Sequence, residues 1–274
     1  MASSIKRILI LCKTYPSPSA RYTETSCVAG VGEDGEVLRI YPVPFRSLEG
    51  NRQFKKWQWI TARVQRASDD RRKESHRIFV DTIEIGPALS TDMAWESRRH
   101  WLRKLPTFDD FESLERARQR KDGPTLAVLR PSSIVRLEIA RVEDREWTPE
   151  EVQKLTRAQR QGALFDESDR DVRLLRKLPF DFHYVYACAG EDGTREFRHK
   201  IVDWEAGALY WNVIRDHGRD WEAPFRARLE RELPARDLMF LMGTIHRFPN
   251  QWLIVSLIYP PRQPPGAPRQ ELLL

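Results

Sequence analysis

Short runs of alternating apolar and polar residues recur along the chain and predict a protein rich in β-strands. An apolar run at residues 8–11 opens the pattern, and strand-like runs follow at 27–31, 38–41, 60–64 and 78–85. Together they make about five β segments before the pattern becomes helical near residue 91. Short strands in that number are typical of a small barrel of the OB or SH3-like type.

The dipeptide Asp34-Gly35 lies between two of these runs and predicts a tight hairpin turn. Centring the turn there sets Gly30 opposite Arg39, which would leave bare backbone for a ligand beside a cation. An ordinary solvated strand face is the alternative interpretation. In this register one face carries Ala29, Val31, Leu38 and Ile40, and the other carries Val28, Gly30, Arg39 and Tyr41.

A second β unit follows a helical insert at 91–123, strands at 126–129 and 134–142, and a polar stretch from residue 148. Its hairpin about Asp192-Gly193 repeats the order Cys, Ala-Gly, Glu-Asp-Gly seen after Cys27. The pairing places His199 on the aromatic face and Arg198 and Lys200 on the other. Asp203 is predicted to cap a helix, and a second helix is predicted over 221–233. Strands are predicted over 238–243 and 253–259.

These elements predict an α+β fold of two small β-barrel-like units of OB type with helical insertions. The expected divisions are an N-terminal barrel-like domain with its helical insert at 1–145, a linker or helical connection at 146–176, a C-terminal β/α domain at 177–260 and a Pro-rich tail at 261–274.

Charge is concentrated in one segment of the chain. The formal net charge is +6 over 274 residues, with a pI near 9.3. Residues 52–77 hold nine Lys or Arg against three acidic residues, so this segment alone accounts for +6. Aromatic side chains at Phe54, Trp57 and Trp59 interleave with the cations, which is typical of a phosphate-binding groove with stacking platforms. A solubilising strand and loop is the alternative.

Several classes of protein are disfavoured. Three widely spaced cysteines, Cys12, Cys27 and Cys188, indicate reduced thiols, and no long apolar segment or export signal is evident, so a cytoplasmic protein without a membrane span is expected. Residues 30–35 match G-x-G-x-x-G, but a strand follows them and a dinucleotide site needs a helix. No P-loop or metal motif occurs, and we expect neither a cofactor nor a metal.

The opening stretch resembles bacterial proteins described as dual OB-fold proteins. The residues that carry the resemblance are Lys13, Cys27, Ala29, Gly30, Arg39 and Pro42. They span about 35 residues, and the rest of the chain matches through the repeated hairpin near Cys188. The resemblance implies two small barrels and nucleic-acid binding, in bacterial conflict or RNA-handling systems, without established catalysis.

Three functions follow as hypotheses. The first is binding of single-stranded or structured nucleic acid, through Lys13, Arg39, Tyr41, Arg46, Lys55, Lys56, Trp57 and Trp59, with Arg198 and Lys200 from the second unit. The second is a metal-dependent nuclease or base-modifying enzyme that uses Asp203, Glu205, His199 and Lys200. The third is an interaction subunit of a defence or RNA-processing complex, whose tryptophans contact a partner protein.

Overall fold

The computed structural model divides the described part of the chain between two β-sheets. The described residues are 2–19, 23–48, 50–144, 146–153, 175–190 and 193–263. Each sheet has seven strands among these residues, and helices join and cover them, which confirms the predicted α+β class. Much of the predicted connection at 146–176 and of the Pro-rich tail lies outside the described residues.

The first sheet closes into a five-stranded barrel. Its strands are β1 (Ser3–Lys13), β2 (Ser17–Ser19), β3 (Thr23–Gly32), β4 (Val37–Val43), β5 (Gln58–Arg66), β6 (Ser75–Ile78) and β7 (Glu84–Ala88). Hydrogen-bonded neighbours run β1-β3-β4-β6-β5, and β5 pairs again with β1, which closes the ring. β4 and β6 are parallel, whereas the other barrel pairs are antiparallel. This order is that of an OB fold.

The second sheet repeats that order with one strand broken in two. Its strands are β8 (Thr107–Phe108), β9 (Leu126–Leu129), β10 (Ser133–Arg141), β11 (Phe180–Gly190), β12 (Gly193–Ile201), β13 (Met239–Thr244) and β14 (Trp252–Ile258). β9 pairs with β13 and β10 pairs with β11, so the two are halves of one first strand interrupted at Pro131. β12 and β14 form the parallel pair. The two predicted OB-type units are therefore confirmed.

Helices connect the strands and pack against the sheets. They are α1 (Asp92–Leu102), α2 (Phe111–Arg118), α3 (Trp204–His217) and α4 (Glu222–Arg226), which continues as a π-helix over Ala227–Glu232. Single 3-10 turns occupy Phe45–Ser47, Gly50–Arg52, Val80–Thr82 and Gly218–Asp220. As the sequence predicted, Asp203 caps α3, accepting a hydrogen bond from the Glu205 backbone N–H at 2.8 Å. Among the described helices, none is long and apolar enough to cross a membrane.

Three hydrophobic clusters organise the molecule. One fills the first barrel and includes Ile8, Ile10 and Ile40, and one fills the second and includes Tyr184 and Phe240. The third lies between the barrels. It joins the outer faces of both sheets to α1, through Leu9, Leu11, Ala29, Val31, Trp57, Trp59, Trp95, Val128, Leu241 and Val255. The barrels therefore pack against each other through a continuous apolar interface.

The first barrel takes part of its interior from the second. Its β4–β5 connection contains only 3-10 turns, where an OB barrel commonly carries a capping helix. Trp204, the first residue of α3, packs instead against the first barrel's interior cluster. Its ring lies edge-to-face with Phe45, with centroids 5.5 Å apart. Folding of the first barrel is thus coupled to the position of α3.

The first hairpin differs from its predicted register by one residue. Gly30 pairs with Leu38, and Ala29 pairs with Arg39. The turn has three residues because Gly32 N–H donates to the Glu36 carbonyl and Gly35 adopts a φ of 84°. Such a loop places one more residue in the turn than a two-residue type I′ turn. A one-residue shift moves every side chain to the opposite face, so Arg39 lies toward the second barrel with Ala29.

The second hairpin differs from its predicted register by two residues, which leaves its faces unchanged. His199 pairs with Tyr184, Lys200 with His183 and Gly190 with Gly193. Residues 191–192 lie outside the described residues. Because side chains alternate with a period of two, His199 still lies on the aromatic face and Arg198 on the other.

Gly30 is required by close packing of β1. A Cβ atom added there would lie 2.6 Å from the Leu9 carbonyl oxygen and 2.7 Å from Ile8 Cγ2. We expect Gly30→Ala to lower the free energy of unfolding by about 1–3 kcal/mol, as overpacking does elsewhere. Gly50→Ala is the control, since nothing lies within 4 Å of a Cβ there. Urea unfolding of both variants measures the difference, and equal stability would contradict the packing role.

Candidate nucleic-acid interface

Arg39 is buried at the junction of the two barrels rather than exposed for a ligand. Only 4% of the residue is accessible. Its guanidinium donates to the Thr125 carbonyl at 2.9 Å and lies 3.7 Å from the Glu74 carboxylate. Glu74 also accepts a hydrogen bond from the Thr125 hydroxyl. The shifted hairpin register is the cause, because it turns Arg39 toward the second barrel.

The tryptophans expected to stack bases are also buried. Trp57 and Trp59 belong to the cluster between the barrels. Trp57 packs edge-to-face on Trp95 at 5.8 Å, and Trp59 packs on Trp101 at 4.8 Å. Their rings are therefore committed to α1 and the interface, with no open face for a base.

Lys56 forms ion pairs with two of the candidate catalytic residues, the buried Asp203 and the exposed Glu205. Its Nζ donates to the Leu257 carbonyl at 2.8 Å and to Glu205 at 3.1 Å, and lies 3.9 Å from Asp203. Burial opposes the charge on Lys56, but the carboxylates of Asp203 and Glu205 prevail and raise its pKa. Asp203 also accepts the Leu257 backbone N–H at 2.7 Å. We define Lys56, Asp203 and Glu205 as the seam cluster, because they join β14, α3 and the first barrel.

Lys13 lies beside the seam cluster in an aromatic setting. Its Nζ is 3.6 Å from the centroid of the Phe45 ring and 5.3 Å from that of Trp204. It donates to the Phe54 carbonyl at 3.0 Å. Burial lowers the pKa of Lys13 to about 8, with Glu205 and Asp203 acting in the opposite direction. Cation–π contacts of this kind stabilise a partly desolvated ammonium group.

The other first-barrel candidates remain nearer the solvent but do not converge on one site. Tyr41 is 51% exposed. Lys55 is also exposed. Arg46 is half-buried and donates to Glu24 at 2.8 Å. The predicted set of first-barrel residues is therefore divided between the core, the seam cluster and scattered surface positions.

Arg198 and Lys200 lie on the outer face of β10, β11 and β12. Acidic neighbours accompany them: Arg198 pairs with Glu138 at 2.7 Å, and Lys200 pairs with Asp181 at 2.6 Å. Arg136 contacts the same Glu138 at 2.7 Å. This face is thus a ladder of ion pairs, whose positive charge is largely balanced.

His199 lies apart from Asp203 and Glu205, inside the second barrel. Its Nδ1 is 3.0 Å from the Tyr186 hydroxyl, and its ring lies 4.5 Å from that of Phe111. Burial lowers the pKa of His199 to about 4. Within the part of the chain that the structure describes, no three His, Cys, Asp or Glu side chains are placed to hold a metal ion. The four candidate catalytic residues do not form one constellation.

Three loops from both barrels meet at one exposed corner. They are 68–74 between β5 and β6, 119–124 after α2, and 245–251 between β13 and β14. Arg72 donates to the Thr244 carbonyl at 2.6 Å, and His246 lies 3.2 Å from Asp70. Lys73 donates to the Asp122 carbonyl at 2.8 Å, and Arg118 donates to Asn250 at 3.1 Å. These contacts fix the loops side by side.

The charged side chains that are exposed at this corner are mainly basic. We define the loop corner as Arg71, Lys73, Arg120, Lys121, Arg247 and Phe248. Among the described residues, Arg71, Arg120, Lys121 and Arg247 have no ion pair or side-chain hydrogen bond. Two nearby acids are already paired, Asp69 with Arg77 and Asp70 with Arg72, whereas the exposed Asp122 carboxylate has no ion pair with any described residue. Phe248 is 56% exposed, an unusual position for a large apolar side chain.

Most residues of this corner were not among the binding residues predicted from the sequence. Arg71 and Lys73 lie in the basic segment at 52–77, but Arg120, Lys121 and Arg247 do not. A signal was present, since residues 116–121 contain four cations in six positions. The structure places these cations beside the loops that join the fourth and fifth strands of the two barrels, and OB folds use that loop to bind ligands.

Two OB-type barrels packed face to face, with basic loops at their junction, define a two-barrel α+β protein. The chain belongs to the family described as domain of unknown function DUF8757, whose model matches residues 107–273. Residues 4–104 match a second family, domain of unknown function DUF8758. The two matches meet between α1 and β8. No curated protein sequence matches the chain.

One solved structure is similar over most of the chain. It is described as a replication protein A heterotrimer bound to single-stranded DNA, and the match covers 94% of this chain and 65% of that one. This chain therefore spans less than two thirds of that chain's length. The sequence identity is 11% and the TM-score is 0.25, values too low to support an argument about function.

The seam cluster yields a test of stability. Lys56→Met should lower the free energy of unfolding by about 3–5 kcal/mol, because it leaves the Asp203 carboxylate buried without its cation. Adding Asp203→Asn should recover part of that stability, since an amide can still cap α3. Lys55→Met at the exposed neighbouring position is the control for denaturant unfolding. Equal destabilisation by Lys55→Met and Lys56→Met would contradict the buried ion pair.

The pKa of His199 predicts a pH dependence of stability. In the unfolded chain, His199 gains a proton below about pH 6.5, the ordinary pKa of histidine. In the folded chain, it stays neutral down to about pH 4. Stability from this group therefore falls as pH falls through that window, by about 2 kcal/mol between pH 7.5 and pH 5. Urea unfolding should show a smaller decrease for His199→Gln. The same pH dependence in both proteins would contradict a buried, neutral His199.

Proposed function

We propose that the protein binds single-stranded nucleic acid through the loop corner. The observation that carries this proposal is the convergence of Arg71, Arg120, Lys121 and Arg247 without acidic partners among the described residues. Unpaired, exposed cations attract phosphates and release counterions when a strand binds. The corner joins the fourth-to-fifth strand loops of two OB-type barrels, and OB folds use that loop to contact oligonucleotides.

Phe248 supports a single strand rather than a duplex as the ligand. Its exposed ring lies in the same loop as Arg247 and offers a surface on which an unpaired base could stack. Bases in a duplex are already stacked on each other and present only their edges. A cationic track with an aromatic platform is the usual combination in single-strand binding.

The usual OB binding face is closed in the first barrel. This face is formed by the second and third barrel strands, here β3 and β4. Ala29, Val31 and Arg39 lie on it, and they contact the second barrel or the cluster between the barrels. Binding at the loop corner needs no separation of the barrels. The catalytic hypothesis lacks comparable support, because Asp203 and Glu205 are engaged with Lys56.

Substitution of two corner cations tests the electrostatic part of the proposal. Arg120→Ala with Lys121→Ala should weaken binding of labelled single-stranded DNA or RNA and lower the salt slope by about 1.4, at about 0.7 for each phosphate that is no longer neutralised. Fluorescence anisotropy at several salt concentrations measures both quantities. Arg219→Ala with Arg231→Ala removes two exposed cations elsewhere and serves as the control. Equal slopes in the two double variants would rule out the loop corner as the phosphate-binding surface.

Substitution of Phe248 tests the stacking part. Phe248→Ala should weaken binding of a single strand by about 1–3 kcal/mol and leave the salt slope unchanged, because stacking releases no counterions. Met93→Ala is a suitable control, since Met93 is also exposed, at 65%. The same anisotropy titration applies. Unchanged affinity in Phe248→Ala would show that no base stacks on this ring.

A further inference from the structure

The break in the first strand of the second barrel creates a pocket away from the loop corner. β9 pairs with β13, whereas β10 pairs with β11, so the two halves of the first strand separate at Pro131. The gap between β10 and the segment leading into β13 holds a cavity of about 380 Å³. We define the arginine pocket by the charged and hydroxyl side chains that line it: Arg130, Ser132, Ser133, Arg236, Asp237 and Arg262.

Positive charge in the arginine pocket is only partly compensated by the described acidic side chains. Among the described residues, Arg262 donates to neutral acceptors only, the carbonyls of Pro234 at 3.1 Å and Arg236 at 3.4 Å. Arg130 lies 4.0 Å from Asp109, whose side chain is 79% exposed. The Arg236 side chain has no hydrogen bond or ion pair with any described residue. Asp237, the acidic side chain lining the pocket, is paired with Arg99 at 2.8 Å.

Two serine hydroxyl groups also line the pocket. Ser132 Oγ accepts a hydrogen bond from the Ala189 backbone N–H at 2.9 Å, which leaves its own hydrogen available to a ligand. Ser133 is exposed beside it. Guanidinium groups bind phosphate oxygens through paired N–H donors, and serine hydroxyls add neutral donors. The cavity volume falls within the range of small-molecule sites, so it has room for a phosphate and the group that carries it.

We propose that the arginine pocket binds a phosphomonoester group. Three guanidiniums line the pocket, and two of them, Arg236 and Arg262, have no ion pair with any described residue; this charge matches a doubly charged phosphate better than a singly charged carboxylate. The group has two possible sources: a free small phosphate, or the terminal phosphate of a nucleic acid. The second source rests on the proposed function, and the first is independent of it.

Calorimetric titration of the full chain with inorganic phosphate tests the site, with chloride at matched ionic strength as the blank. Phosphate should bind the unmodified protein, and Arg236→Ala and Arg130→Ala should each weaken binding by about tenfold, the effect expected for removing one charged hydrogen bond. Arg219→Ala, an exposed arginine outside the pocket, should bind as the unmodified protein does. Absence of phosphate binding, or equal binding by Arg236→Ala and Arg219→Ala, overturns the proposal.

Oligonucleotides with a 5′-phosphate, a 3′-phosphate or neither separate the two sources. If the phosphate belongs to a nucleic acid, one phosphorylated form should bind more tightly, and Arg236→Ala should remove the preference. If all three bind equally while inorganic phosphate still binds, the site serves a free phosphate. The loop-corner double variant should lose oligonucleotide affinity and keep phosphate binding, so failure of one proposal is distinguishable from failure of the other.

Discussion

The buried contact between Lys56 and Asp203 is the constraint on which the rest of the structure depends. Asp203 caps α3, accepts the backbone N–H of Leu257 and lies beside the Lys56 ammonium. These interactions fix the start of α3, and with it Trp204, which packs into the first barrel. A buried charge left without its partner costs several kcal/mol, so the contact allows little freedom in how the barrels are placed. The apolar cluster between the barrels then packs around this fixed point.

Packing of the barrels determines which surfaces remain for a ligand. The outer face of β3 and β4 is covered by the second barrel, and Arg39 and two cations of the basic segment, Lys56 and Arg72, serve as contacts between barrels. Lys56, Arg39 and Arg72 all donate to carbonyls of the second barrel or its preceding loop. Net positive charge in a segment therefore does not identify a binding surface by itself, because part of that charge can hold the fold together. Four cations that have no ion pair with any described residue, Arg71, Arg120, Lys121 and Arg247, lie together at the loop corner.

Much of the architecture was accessible from the sequence. Alternation and turn residues predicted both β units, and Asp203 correctly marked the start of α3. The predicted register of the first hairpin was wrong by one residue, because Asp34-Gly35 fits both a two-residue turn and the three-residue loop that forms. That single residue decides whether Arg39 faces solvent or the second barrel. Burial of Trp57 and Trp59 was not predictable from local pattern, because it depends on contacts with α1 and a second domain far away in sequence.

The central functional claim is that a nucleic acid contacts the corner where loops of both barrels meet. Hydrogen exchange of the full chain, with and without a saturating single-stranded oligonucleotide, tests this claim most directly. The account predicts slower exchange of backbone amides in 68–74, 119–124 and 245–251, with little change in β3 and β4, whose outer face is already buried. Protection confined to β11 and β12, or to the first barrel away from its loop at 68–74, would contradict it.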